Sequence, residues 1–365
     1  MPDRIKPLLE QLVAFPTIAG TPNIDLIAWV KDQLDAAGFA VTIILSRDGT
    51  KAGLLARFGD GDGGTLFSAH TDVVPVEGQN WTEAPFRLAE REGRYVGRGT
   101  TDMKGFIACV LALAETLRET PPARPVLICL SWDEELGCRG IPDMIDSVVP
   151  VLGRPGLCIV GEPTLMRPVL GHKGKASYRA EFAGTPGHSA MAPYFTNALH
   201  GAAEFILALR RLQEALAQEG ARDEAFDPPY STVHAGIARG GVALNIVPDH
   251  AEVLFEIRHL ASETPEAILS RIVLPEGARI TRTGQYPGLS ALADDPIVAR
   301  FSSALSDPTP ATVAFGTEAG YFAERGIPTV VCGPGTMKDG HQPDESIAID
   351  QLEHYHALIR DWVFR

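Results

Sequence analysis

The stretch Thr65-Leu66-Phe67-Ser68-Ala69-His70-Thr71-Asp72 decides the fold. A short, largely apolar run stops at a histidine, and a carboxylate follows two positions later. Runs of this length between turn residues are strands buried on both faces, as in sheets covered by helices. The pattern recurs outward from it. Val41–Leu45 and Gly53–Phe58 precede it, Val126–Trp132 and Leu157–Val160 follow, and Pro328–Cys332 returns late in the chain. Helical spacing fills the gaps. Ile5, Leu8, Leu9, Leu12 and Val13 share one face, and a second helix is expected from Thr21 as N-cap, with Pro22 at its first position, to Gly38. Met103–Leu117 and a final segment from Asp350 are helical too. This alternation predicts an α/β fold around a mainly parallel sheet.

The rhythm changes after Gly171. Lys175–Phe182 alternates like a strand with one wet face, and an amphipathic helix is expected from Asn197 to Leu216. The polar loop Gly220–Pro229 and two strand-like runs, Thr232–Ile237 and Val242–His259, suggest an antiparallel sheet with helices on one side. From Asp295 the α/β rhythm resumes. The expected organisation is therefore an α/β domain formed by residues 1–171 and 289–365, interrupted by an α+β insert at 172–288. A length of 365 residues agrees with two domains, at roughly 150 residues each.

Composition narrows the class. Lys and Arg total 32 against 46 Asp and Glu, a formal charge of −14, so neither nucleic acid nor an anionic membrane is an expected partner. With 45% hydrophobic and 21% charged residues, the chain can bury a full-sized core. No apolar run approaches the roughly 18 residues of a membrane span, and Met1–Lys6 lacks an apolar signal segment. The five cysteines form no C-x-x-C pair, and Cys109, Cys129, Cys158 and Cys332 sit in apolar runs as buried thiols would, which makes the cytoplasm the expected location.

In open α/β sheets, ligands bind beyond the carboxyl ends of the strands. His70 stands at such an end, with Asp72 placed to hold its imidazole. Asp133-Glu134-Glu135 follows Val126–Trp132, and Glu162 follows Leu157–Val160. His341 lies beyond Pro328–Cys332 in the loop that starts Gly333-Pro334-Gly335, and Asp102 lies in Gly97–Gly105 just before a helix. Any one of these carboxylates alone reads as a solvated loop charge or a helix cap. Together, two histidines and three carboxylates suit Zn²⁺ or a related borderline metal, and two cations sharing one carboxylate would use all five. His200, His234, His250, His354 and His356 lie on or beside helical and strand patterns and need no ligand role.

The segments Ser68–Pro75, Gly97–Gly105, Asp133–Gly137 and Gly161–Thr164 resemble the aminoacylase/carboxypeptidase family of co-catalytic zinc hydrolases. Matching motifs continue to Gly340-His341-Gln342-Pro343-Asp344-Glu345. The resemblance implies one zinc held by His70 and Glu162, a second by Glu135 and His341, and Asp102 bridging them, with Co²⁺ or Mn²⁺ as substitutes. It further implies Asp72 as the group orienting His70 and Glu134 as general base. By the same resemblance the insert would be a lid and dimerisation domain and the chain a homodimer. His188 would reach the partner subunit's active site, Asn245 would assist at the oxyanion, and Arg258 would grip the α-carboxylate of a small acylated amino acid.

Gly161-Glu162-Pro163-Thr164, His172-Lys173-Gly174, Gly187-His188-Ser189 and Thr317-Glu318-Ala319 resemble a subgroup that deacylates N-acyl amino acids. The chain departs from it at Arg258-His259, where the subgroup has proline after the arginine. Glu318 stands near a helix start, where capping is a sufficient role; a second reading has it attract a side-chain ammonium of the substrate. A desuccinylase, a dipeptidase or another deacylase would use the same metal centre, and a relative that has lost its metal would be a binding or scaffold protein.

Overall fold

The computed structural model describes residues 4–275 and 277–365. It divides into two compact units. One runs to Leu170 and resumes as Ser290–Ala311 and Thr317–Arg365; the other is Gly171–Leu289 with Thr312–Gly316.

The first unit is built on a mixed sheet. Its centre is parallel: Val126–Ser131, Thr65–His70, Leu157–Pro163 and Thr329–Gly333 lie side by side in that order. Ala52–Phe58 and then Ala40–Leu45 extend one side antiparallel. The central strands are buried almost throughout, as their unbroken apolar sequences require. Phe67, Ala69, Ile128, Leu130 and Ile159 share a core with helices Ile5–Ala14, Ile24–Ala36, Gly105–Leu117 and Ile349–Phe364. Phe106 sits at its middle, its ring centroid 6.4 Å from that of Phe67 and 5.5 Å from that of Tyr355. Helices Ile141–Leu152 and Ala319–Glu324 also pack on the sheet strands.

Two local expectations change in this unit, and one element goes unread. Helix Ile24–Ala36 starts later than Thr21, because Asn23 is tied elsewhere: its side chain pairs with both the N–H and the carbonyl of Ala52, at 2.8 Å each. Thr21 instead donates to the carbonyl of Ile18. Met103 and Lys104, read as the start of a helix, belong instead to an irregular turn over residues 100–104 ahead of Gly105–Leu117. A small sheet of Ala89–Arg91, Arg94–Val96 and Ser346–Ala348 was not legible in the pattern, since two-sided burial and clean alternation are both missing there.

The second unit is a four-stranded antiparallel sheet in the order Thr232–Gly240, His250–His259, Gly174–Ala183, Arg279–Tyr286. Alternate residues of Gly174–Ala183 are buried. Helix Ala198–Glu219, capped by Asn197, lays Phe205, Leu209, Leu212 and Leu216 on that face. Residues 242–249, expected to belong to a strand, are a loop with Val242 and Leu244 largely exposed.

Candidate metal centre

Side chains from the C-terminal ends of the parallel strands converge in the first unit. His70 ends its strand opposite Ser131 and is 1% exposed. Its Nε2 lies 3.1 Å from Asp102 Oδ1 and 3.8 Å from Glu162 Oε1. The other oxygen, Asp102 Oδ2, lies 3.1 Å from His341 Nε2, which is also 3.0 Å from Glu135 Oε1. Two groups result, His70–Asp102–Glu162 and Asp102–Glu135–His341, with ligand atoms in each lying within 4.8 Å of one another. Asp102 is common to both and presents one oxygen to each.

The local chain explains the placement. A Cβ at Gly161 would sit 2.1 Å from the Phe106 ring, so only glycine lets this strand pass the core and deliver Glu162. Asp133 adopts a left-handed φ of 53° that turns the chain sharply before Glu134. Its carboxylate is held by the Lys51 ammonium and accepts the Gly20 N–H at 2.8 Å. His70 Nδ1 lies 2.9 Å from the Asp72 carbonyl oxygen. That bond holds a proton on Nδ1 and turns Nε2 toward Asp102 and Glu162, as the nitrogen a neutral ring would offer to a metal. The Asp72 carboxylate, 3.6 Å from Nδ1, accepts the backbone N–H groups of Glu134 and Glu135 at 3.1 Å each. Asp72 thus serves both strand ends.

The electrostatics suit cations. Burial first, and then neighbouring carboxylates, push Glu134, Glu135 and Glu162 above the ordinary range. Burial would push Asp102 the same way, but hydrogen bonds from His341 and His70 hold it low. His341 is pushed up to about 10 by its hydrogen bond to Asp102 and then that to Glu135. His70 also rises despite burial, through Asp102 and Asp72. Crowded acceptor oxygens with two imidazole nitrogens are a donor set that divalent charge stabilises, so the residues fit a pair of borderline metal ions.

Glu134 belongs to neither ligand group. The Cys138 thiol donates to its Oε1 at 3.3 Å, a contact that sequence reasoning missed although Cys138 directly follows the Asp133–Gly137 motif. Glu318 is 2% exposed and accepts from the Ser131 hydroxyl at 2.6 Å. Burial pushes its carboxyl up to about 7. It does not cap helix Ala319–Glu324; the Ala319 N–H bonds to the Thr317 hydroxyl instead.

Three of the residues singled out lie in the second unit. His188 and Asn245 stand on adjoining loops: Ser189 N–H donates to the Asn245 carbonyl at 3.0 Å, and His188 bridges Ile246. His188 does cap the short turn Ser189–Tyr194, its Nδ1 accepting the Ala190 N–H at 3.1 Å. In the neutral ring that leaves an exposed Nε2–H as a donor. Arg258 lies near the far end of strand His250–His259, bonded to Glu256 at 2.9 Å and to the Tyr286 hydroxyl at 2.6 Å.

Residues 66–365 match the model of peptidase family M20/M25/M40. The chain belongs to this family and is a metal-dependent amide hydrolase. It is 34% identical to acetylornithine deacetylase of Myxococcus xanthus, over 97% of this chain and 95% of the relative. Acetylornithine deacetylase of Pasteurella multocida is 32% identical, over 96% and 95%. Among solved structures, an M20 family metallo-carboxypeptidase of Sulfolobus solfataricus superposes with a TM-score of 0.77 at 18% identity, covering 99% of this chain and 98% of the other. A tripeptidase of Staphylococcus aureus superposes with a TM-score of 0.76 at 20% identity, covering 100% and 98%. These two show the fold. Among the described residues, no helix is long and apolar enough to cross a membrane.

Proposed function

We propose that the chain hydrolyses N-acetyl-L-ornithine to L-ornithine and acetate, a step that would supply ornithine to arginine biosynthesis in the cytoplasm. The observation that carries the chemistry is Asp102, whose two oxygens face two separate groups of ligands. The substrate rests on the full-length likeness to acetylornithine deacetylases.

His70, Asp102 and Glu162 would hold one divalent ion, and Asp102, Glu135 and His341 the other. Two Zn²⁺, or Co²⁺ or Mn²⁺ in their place, would polarise the acetyl carbonyl and ease ionisation of water there. Glu134 takes the proton of the attacking water and returns it to the leaving amine. Its raised affinity for a proton suits both transfers. His188, donating from Nε2, and Asn245 stabilise the tetrahedral oxyanion. Arg258 forks onto the α-carboxylate, displacing Glu256, and Glu318 attracts the δ-ammonium.

The chain acts as a homodimer through the insert, with His188 serving the partner subunit's site. The outer side of edge strand Thr232–Gly240 and exposed Ile237, Val242 and Leu244 support this. The deciding experiment is a comparison of kcat/KM for N-acetyl-L-ornithine, N-succinyl-diaminopimelate and dipeptides. The acetyl compound should lead by more than about tenfold; preference for a succinyl compound or a dipeptide would overturn the assignment.

A further inference from the structure

We propose that Glu345 is a positioning residue for the cation pair. Its carboxylate, clamped by Arg98, fixes the backbone at Asp102 so that the two Asp102 oxygens face opposite ways. The proposal rests on the two-cation reading above.

Glu345 is 1% exposed, and the Arg98 side chain is fully buried. Glu345 Oε2 accepts from Arg98 Nη1 at 2.6 Å, while Oε1 accepts the N–H groups of both Thr101 and Asp102 at 3.0 Å each. The Glu345 carbonyl accepts the Gly97 N–H at 2.8 Å, closing the other end of the same loop. Arg98 is fixed in turn: Nη2 donates to Gln79 Oε1 at 2.5 Å, and the guanidinium lies 4.9 Å from the Trp81 ring centroid. Gln79 Nε2 donates to the His341 carbonyl at 3.3 Å. One network, buried at Glu345 and Arg98 and partly exposed at Gln79, therefore reaches the backbone of two residues, Asp102 and His341, that belong to one ligand group.

The chemistry explains why a carboxylate and a guanidinium are used. One oxygen with two lone pairs satisfies two consecutive N–H donors, and the second oxygen meets the guanidinium. The pair is neutral, so it orders Asp102 without adding charge beside the metal site. Asp72 does the same for Glu134 and Glu135, so a buried carboxylate anchors each acidic turn of the site.

Removing one partner of a buried ion pair is destabilising whatever its role, so the test compares double variants. Arg98→Met/Glu345→Gln keeps an acceptor for the two N–H groups; Arg98→Met/Glu345→Leu does not. Metal-stripped proteins are titrated with Zn²⁺ against a chromogenic chelator, and kcat and KM are measured after reloading. The Gln variant, which keeps the acceptor but loses the clamp, should bind two Zn²⁺ less tightly than the unsubstituted protein and more tightly than the Leu variant. The Leu variant should bind them about 10–100-fold more weakly, with kcat reduced and KM little changed. Equal affinities in the two variants would overturn the proposal. If the Leu variant does not unfold cooperatively, Glu345→Asp replaces it: it keeps the charge but retracts by one methylene, and undiminished Zn²⁺ affinity there would be equally contrary. An unsubstituted protein that binds no Zn²⁺ would instead refute the two-cation reading itself.

Discussion

The carboxylate of Asp72 accepts the backbone N–H of Glu134 at 3.1 Å. Its second oxygen accepts the N–H of Glu135 at the same distance. A residue two positions beyond His70 therefore sets the turn that follows a neighbouring strand and carries both the proposed general base and a proposed metal ligand. Asp72 couples two strand ends through a hydrogen bond that spans 62 residues of sequence.

Asp72→Asn tests that coupling. An amide offers one oxygen, and its NH2 group would face an N–H donor. Zn²⁺ affinity should fall about 10–100-fold, read by chelator competition, and kcat should fall with it. A variant unchanged in both would show that the turn holds itself.

Glu134→Gln should leave both ligand groups intact, because Glu134 is in neither. Metal analysis should find two ions per chain, while kcat drops by about 10²–10⁴-fold, the contribution expected of a general acid–base. Near-normal kcat would remove the base from Glu134.

That side chains at the strand ends would converge was legible because each follows an apolar run whose length marks a buried strand; His70 and Glu162 needed only the position of the strand end. The Arg98–Glu345 pair spans 247 residues, and neither member carries a periodic signal. Both sit within quoted motifs, yet nothing local says that they meet. The helix expected from Thr21 starts only at Ile24 for a related reason: Asn23 bonds to Ala52, a tertiary contact that overrides the capping signal at Thr21. Val242–Asp249 resembled a strand because its apolar residues suggested burial, whereas Val242 and Leu244 are largely exposed.

Glu318→Gln should reduce kcat/KM more for N-acetyl-L-ornithine than for an N-acetyl amino acid without a side-chain amine. Equal losses would end the ammonium role. The same variant reports on pH. The folded carboxyl is pushed from 4.5 to about 7 by burial, so folding favours its protonated form. Its contribution to stability is complete below pH 4.5 and is lost as pH rises through about 7. In metal-stripped protein, the Tm of Glu318→Gln relative to the unsubstituted chain should therefore rise between pH 5 and 8. A flat difference would contradict the buried titration.

His188→Ala should fold and bind metal yet turn over at least about tenfold more slowly. Mixed with Glu134→Gln protein under conditions that exchange subunits, it should regain activity, since one site in each heterodimer then has both groups. No recovery in verified heterodimers would confine His188 to its own subunit or to a structural role.

If amide hydrolysis depends on two ions held around Asp102, turnover must follow metal occupancy. The direct measurement is N-acetyl-L-ornithine turnover during Zn²⁺ titration of chelator-stripped protein, with bound metal counted at each point. Activity should be lost on stripping and return to a plateau as binding reaches two ions per chain. Undiminished hydrolysis by the stripped protein, or a plateau reached with no ion bound, would contradict it.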